Sequence, residues 1–158
     1  MIRFALTVFG LVALSCPAHA DWTAATDNQD AVVNAHARAM DGSTILHASC
    51  NRNLGPGISV SLENYRGNAL ERLDDVKRPV SLRVAQPDGP KDFPAHAHYV
   101  AADREWVVSN PDLPATFADA LGHGTLLTVS NARGEKVADF DLKGADKAAE
   151  LMRGVCRR

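Results

Sequence analysis

Two pairs of histidines are the side chains of this chain whose type and spacing could do chemistry. His96 and His98 alternate within a segment patterned like a β-strand, so both rings project from one face. His36 and His47 lie on the two arms of a predicted hairpin, where directly opposed residues have Cβ atoms about 5 Å apart. Imidazole is a common ligand of zinc and copper, so the four histidines would form a metal site if their strands adjoined. The alternative is that they are surface histidines on polar strand faces, without a ligand.

The rest of the sequence carries no recognisable catalytic motif. It has no Gly-x-Ser-x-Gly and no Cys-x-x-Cys, and Gly122-His123-Gly124 is too short for a phosphate-binding loop. The adjacent acids Asp74-Asp75 suit a solvated turn better than paired acid–base work. We therefore expect a protein that is not an enzyme and uses no cofactor. A hydrolase without a recognisable motif, acting on the cell wall, is the alternative.

Arg83 and Trp106 are the remaining candidates for recognition. Arg83 lies on the polar side of its predicted strand, where its guanidinium could bind an anionic group. Trp106 could offer a stacking surface, although a tryptophan in a strand commonly anchors the core or the edge of a sheet. A solvent-facing arginine on a strand likewise needs no function.

A hairpin must position the first histidine pair. Small and apolar residues alternate with polar ones before Asp41-Gly42, a strong signal for a tight hairpin turn, and the return strand covers residues 43–51. A two-residue turn there places His36 opposite His47 on one face. On the other face it pairs Ala37 with Leu46, Ala35 with Ala48, and Val33 with Cys50. Register and hydrophobic pattern therefore agree, and Cys50 falls on the core side.

The remaining chain reads mostly as strands, with helices late in the sequence. Residues 86–94 are predicted as a loop, and no structure is assigned to residues 68–78. The predicted strands are 58–62, 80–84, 96–101, 105–109, 126–130 and 137–142. The first predicted helix begins at Asn110-Pro111-Asp112 and ends at Gly122, and the second covers residues 145–156. We expect one α+β domain, an antiparallel sheet or sandwich with a short helix and a C-terminal helix.

The first 20 residues are typical of a signal peptide. Arg3 is followed by a short apolar run, a break at Pro17, and the small-x-small site Ala18-His19-Ala20. The apolar run is too short to span a bilayer, which takes about 20 residues. We therefore predict cleavage after Ala20, export to the periplasm and a single mature domain over residues 21–158. A lipoprotein anchored at Cys16 and a buried N-terminal helix are the alternatives.

Two cysteines remain in the predicted mature chain, Cys50 and Cys156. An even pair in an oxidising compartment favours a disulfide, and both cysteines occupy core-facing positions in the predicted elements. The bridge would close a loop of roughly 100 residues, which the chain-entropy model stabilises by several kcal/mol. We expect a structural staple between the sheet and the C-terminal helix.

Nothing in the charge balance suggests a nucleic-acid surface. The full chain has 17 basic and 19 acidic residues, and loss of Arg3 with the signal leaves 16 basic residues and a net charge of −3. A nucleic-acid footprint would require clustered basic residues, and only the C-terminal Arg153, Arg157 and Arg158 group together. No other segment is apolar enough to cross a membrane.

Several segments of the mature chain resemble a known family. These segments are Trp22, Leu46-His-Ala-Ser-Cys50, Val80-Ser-Leu-Arg83, Trp106-Val-Val-Ser109, and Ala138-Asp-Phe-Asp-Leu-Lys-Gly144 before a helix that closes in Cys156. The chain resembles the small periplasmic accessory proteins of type VI secretion systems (the VasI or TagO type) and, more distantly, the invasion-associated locus B family. The resemblance implies a non-enzymatic periplasmic domain that contacts an envelope or secretion-system protein. A zinc- or copper-binding periplasmic protein is the alternative function.

Overall fold

The computed structural model describes residues 22–27, 31–54, 57–108 and 113–156. The predicted signal peptide, and with it the site of cleavage, lies outside these residues. The described strands are β1 Thr23–Thr26, β2 Val32–Arg38, β3 Ile45–Asn51, β4 Ser59–Glu63, β5 Arg78–Ala85, β6 Lys91–Val100, β7 Glu105–Val108, β8 Leu126–Asn131 and β9 Lys136–Asp141. The helices are α1 Thr116–His123 and α2 Ala145–Cys156, with a 3-10 turn at Arg52–Leu54. No described helix is long and apolar enough to cross a membrane.

All nine described strands belong to one antiparallel sheet in the order β1-β2-β3-β4-β7-β6-β5-β8-β9. The sheet curls until its two edges approach each other. Trp22 Nε1 donates a hydrogen bond to the Asp141 carbonyl on β9 at 2.8 Å, and Met40 N donates to the Asp139 carbonyl at 2.8 Å. The predicted α+β fold with a curved antiparallel sheet is confirmed.

The register of the β2–β3 hairpin is the one that the sequence predicts. Val33 opposes Cys50, Ala37 opposes Leu46, and His36 opposes His47. The loop is wider than predicted, because Ala39 N bonds to the Thr44 carbonyl and four residues lie between them. Gly42 takes the left-handed conformation that closes this loop, with φ at 75°.

In most strands the side chains alternate between a packed inner face and a polar outer face, as in β2, β3 and β4. The inner face and the two helices enclose a core that includes Trp106, Phe117 and Phe140, each at most 1% exposed. Helix α2 packs on α1 and on β1, β2 and β3. Its apolar stripe is buried as predicted, and it brings Cys156 to Cys50, where the two sulfurs form a disulfide.

Several boundaries differ from the sequence prediction, and two of the differences have a clear physical reason. Helix α1 runs through Gly122 and ends before Gly124, whose missing Cβ leaves room for Leu142 and for the Ala120 carbonyl. Its predicted start at 110–112 lies outside the described residues. Strand β6 begins at Lys91, within the predicted loop 86–94. It accommodates Pro94 because the described part of β7 pairs with β6 only from Ala97 onward, so that Pro94 pairs on one side with β5.

Candidate functional site

The structure places the four candidate histidines on the outer face of the sheet but does not bring them together. His36 and His47 are opposed, with ring centroids 5.9 Å apart. From His47 the row continues through Ser61 on β4 and Val107 on β7 before it reaches His98 on β6. Three interstrand spacings therefore separate His47 from His98, about 14 Å along the sheet.

This separation leaves the predicted four-histidine metal site unassembled. The reason is topological, because β4 and β7 lie between the strands that carry the two pairs. No group of three or more histidine, cysteine or acidic side chains within the described ranges is arranged to hold a metal ion. His96 points outward beside His98 and belongs to the same distant pair.

The first histidine pair is instead part of a polar network. His47 Nε2 lies 3.0 Å from Glu63 Oε2, and the other carboxylate oxygen of Glu63 accepts a hydrogen bond from Asn64 Nδ2 at 3.1 Å. His36 Nε2 lies 2.6 Å from the hydroxyl of Thr23. These contacts link the outer face to the end of the sheet where β4 finishes.

Arg83 lies on the exposed outer face, on β5, and is occupied by a carboxylate of its own chain. Its Nε donates to Asp92 Oδ1 at 2.6 Å and its Nη2 donates to Asp92 Oδ2 at 3.0 Å. This two-pronged bond lowers the pKa of Asp92 and raises that of Arg83. The predicted recognition role of Arg83 would require an external anion to displace Asp92.

Trp106 lies in the core rather than on the surface. It is 1% exposed, and its ring packs at 5.4 Å from the ring of Tyr99, its partner on β6. Its indole Nε1 is buried and has no hydrogen-bond partner among the described residues. A direct stacking role for Trp106 would therefore require the core to open.

The strongest candidate site is a depression of about 410 Å³ at the end of the sheet where β4 and β6 finish and β7 begins. We call it the arginine depression. It is lined by Asn64, Tyr65, Arg66, Arg72, Tyr99 and Arg104. Cys50 lies at the far end of β3, so the disulfide anchors the opposite end of the sheet.

The loop after β4 forms one wall and is built around Tyr65. The Tyr65 hydroxyl accepts a hydrogen bond from Ala69 N at 3.0 Å, and the Tyr65 carbonyl accepts one from Arg72 Nη2 at 2.8 Å. Gly67 lies against the phenol ring so closely that a Cβ there would collide with the hydroxyl oxygen. A side chain at this position would therefore displace Tyr65.

Residues 71–77, which we call the strap, form a second wall. The strap is tied to the end of β6 by Asp75 N, which donates to the Tyr99 carbonyl at 3.0 Å. The Asp74 carboxylate accepts a hydrogen bond from Ala101 N at 2.9 Å and so caps the β6–β7 turn. These bonds hold Arg72 next to Tyr99.

Two of the lining residues have left-handed backbones that favour glycine or asparagine. Asn64 has φ at 59° and Arg104 has φ at 57°. Asparagine adopts this conformation readily, whereas an arginine there costs of order 1 kcal/mol. Arg104 is the last residue of the four-residue turn between β6 and β7, closed by the pairing of Val100 with Glu105. The turn does not need an arginine at this position.

The arginines of this site are not neutralised by the chain itself. Within the described segments Arg66 and Arg104 make no hydrogen bond or ion pair, and Arg72 donates only to a backbone carbonyl. No carboxylate is among the lining residues. The site therefore offers fork-shaped guanidinium donors to an anion.

A neighbouring depression shows what a neutralised arginine pair looks like in this protein. It has a volume of about 240 Å³ and contains Arg78 and Arg133. Arg78 pairs with Glu71 at 2.8 Å, and Arg133 pairs with Glu135 at 2.8 Å. The arginine depression differs because its cations lack such partners.

Sequence reasoning missed this site. Arg104 is far along the chain from Arg66 and Arg72, and all three lie in irregular connections that carry no strand or helix signal. The sequence assigns no structure to residues 68–78. The available signal was the arginine or tyrosine next to each turn, as in Asn64-Tyr65-Arg66-Gly67 and Asp103-Arg104. No periodicity indicates that such turns meet.

Comparison with known proteins adds no relative, since no family model, curated protein or solved structure matches the chain.

Proposed function

We propose that the mature domain is an exported, non-enzymatic binding module that acts through protein–protein contact at the cell envelope. The N-terminal sequence pattern and the disulfide between Cys50 and Cys156 suit an oxidising compartment outside the cytosol. The sequence resemblance to periplasmic accessory proteins of type VI secretion links the proposed partner to the envelope or to a secretion system.

The observation that carries this proposal is the composition of the surface at the arginine depression. Arginine and tyrosine are enriched in protein interfaces, and this depression combines three arginines with two tyrosines. Leu73 and Val76 on the adjoining strap are large aliphatic side chains that are 48% and 39% exposed. Unneutralised cations beside exposed apolar side chains are typical of a docking surface.

Export is tested by intact mass of the protein recovered from periplasm, before and after reduction and alkylation. The proposal expects a chain that begins at Asp21 and is two hydrogens lighter than the dithiol. A lipidated chain beginning at Cys16 would contradict the proposed free module, and free thiols would contradict the staple. Metal content is measured on the same sample, and one bound zinc or copper ion would favour the alternative function, a metal-binding protein that uses the histidines.

Binding is tested by capture from an envelope extract with the native protein as bait. The matched control bait is the same protein reduced, alkylated and unfolded. We expect a discrete envelope protein that is retained by the native bait and absent from the control. Equal retention on both baits would overturn the proposal.

A further inference from the structure

We infer that the arginine depression binds an acidic segment of the partner protein, with carboxylates on Arg66 and Arg104 and an aliphatic side chain on the strap. This inference rests on the proposed function, because it assigns the chemistry of the partner at the same surface. The shared ligand chemistry is the carboxylate, supplied by aspartate or glutamate side chains.

Charge complementarity is the first argument. An arginine pairs with a carboxylate through two parallel N–H···O bonds, a geometry that this chain already uses between Arg83 and Asp92. Arg66 and Arg104 have no such partner among the described residues. The lining of the depression carries three arginines and no carboxylate, although the mature chain as a whole has a net charge of −3.

The form of the depression favours an extended segment over a small free anion. Arg66 and Arg72 come from two parts of the connection between β4 and β5, and Arg104 comes from the β6–β7 turn. Such a spread favours a ligand that carries several acidic groups. Leu73 and Val76 then add apolar contact that inorganic phosphate cannot use.

The same features argue against a membrane surface. Stable adsorption to a bilayer combines a sizeable apolar face or a lipid chain with a run of several basic residues. Here the strap exposes two large apolar side chains, and the three lining arginines are separated along the chain and do not form a continuous basic run. The net negative charge of the mature domain also opposes a broad approach to anionic lipid.

The test is a titration of the intact mature protein with the acetylated peptide Asp-Glu-Leu-Asp-Glu-Val, amidated at its C-terminus. Binding is followed by calorimetry and by tryptophan fluorescence, because Trp106 contacts Tyr99 of the depression. We expect saturable binding that weakens as salt is added. The peptide with every acid replaced by its amide should not bind.

Variants assign the binding to the depression. The double variant Arg66→Gln/Arg104→Gln should lose about tenfold in affinity, since it removes both of the guanidinium partners proposed for the peptide carboxylates. The matched control Arg83→Gln/Arg133→Gln removes two arginines that are already paired away from the depression and should bind as the wild type does. Unchanged thermal unfolding of the variants shows that they remain folded.

The other anions are arms of the same experiment. Inorganic phosphate and vesicles of phosphatidylglycerol are tested at matched anion concentration, and we expect neither to compete with the peptide. The inference is overturned if the peptide fails to bind while vesicles or phosphate do bind and that binding is lost in the Arg66→Gln/Arg104→Gln variant. If the native bait retains an envelope protein and the double variant retains it equally, the inference fails and the proposed function stands. If neither bait retains one, the proposed function itself fails.

Discussion

The ring of Tyr99 lies 5.4 Å from the ring of Trp106, so a residue that lines the arginine depression touches a side chain of the core. Tyr99 is partly exposed and Trp106 is 1% exposed. The surface and the interior are therefore in direct contact at this end of the sheet. A ligand in the depression changes the surroundings of Tyr99, and Trp106 provides an optical signal of that change.

Truncation of Trp106 should destabilise the domain strongly. Trp106→Ala removes one of the largest fully buried side chains and should lower the free energy of unfolding by about 3–5 kcal/mol. Trp106→Phe should cost less, because the ring is partly retained and the indole N–H has no hydrogen-bond partner to lose. Urea unfolding of the three proteins measures the difference. Equal losses in the two variants would contradict the assigned packing.

The disulfide should be a major source of stability. It joins residues 106 positions apart, and the chain-entropy model assigns about 4.7 kcal/mol to a loop of 100 residues. The double variant Cys50→Ala/Cys156→Ala should therefore unfold about 10 °C or more below the wild type. Reductant should lower the melting temperature of the wild type and leave that of the variant unchanged. A melting temperature that is indifferent to reductant would contradict the staple.

The Arg83–Asp92 pair should stabilise the fold only above acidic pH. Its hydrogen bonds lower the pKa of Asp92 in the folded state below the ordinary value of 3.8. A depressed carboxyl pKa contributes stability that is present above the unfolded pKa and lost as the pH falls through the folded pKa. The difference in melting temperature between wild type and Arg83→Gln should be small at pH 7, because the pair is exposed. It should shrink as the pH falls below 3.8 and vanish once the pH is below the lowered pKa of Asp92 in the folded state. A difference that grows with acidification would contradict this assignment.

Replacement of Arg104 by glycine should separate folding from binding. Glycine adopts the left-handed backbone at φ 57° without strain, but it also raises the conformational entropy of the unfolded chain. Arg104→Gly should therefore leave the free energy of unfolding unchanged or raise it by up to about 1 kcal/mol. Arg104→Ala keeps a Cβ in the left-handed region and should be less stable than Arg104→Gly. Thermal unfolding ranks the variants, and the acidic peptide should bind both more weakly than it binds the wild type. Wild-type affinity in Arg104→Gly would remove Arg104 from the site.

Much of the scaffold follows from local patterns. The register of β2 and β3 is predictable because the Asp41-Gly42 turn sets the pairing, and that pairing places small residues such as Ala35 and Ala48 opposite each other on one face. Helix α2 is predictable over its whole length from its apolar stripe, and the pairing of Cys50 with Cys156 follows from two cysteines on core-facing positions. The hairpin and the helix are predictable because their patterns are local in sequence. The disulfide is predictable because only two cysteines are available to pair in the predicted mature chain.

The site and the strand order are different, because neither has a local cause. Nothing near His47 or His98 indicates that β4 and β7 separate their strands. Pro94 predicts a loop, yet it lies in strand β6. The described part of β7 does not pair with β6 at this position, so the missing N–H of the proline is tolerated there. Arg66 and Arg104 line one depression only because the sheet places two distant turns at the same end.

The most direct test of the account is site-specific photo-cross-linking in intact cells. A photoreactive phenylalanine analogue is placed at Leu73, on the exposed strap beside the depression, and in a matched strain at Lys147, on the exposed side of α2. The account predicts a discrete adduct with an envelope protein from position 73, lost when Arg66→Gln/Arg104→Gln is added, and no such adduct from position 147. No adduct from position 73, or the same adduct from both positions, would contradict it.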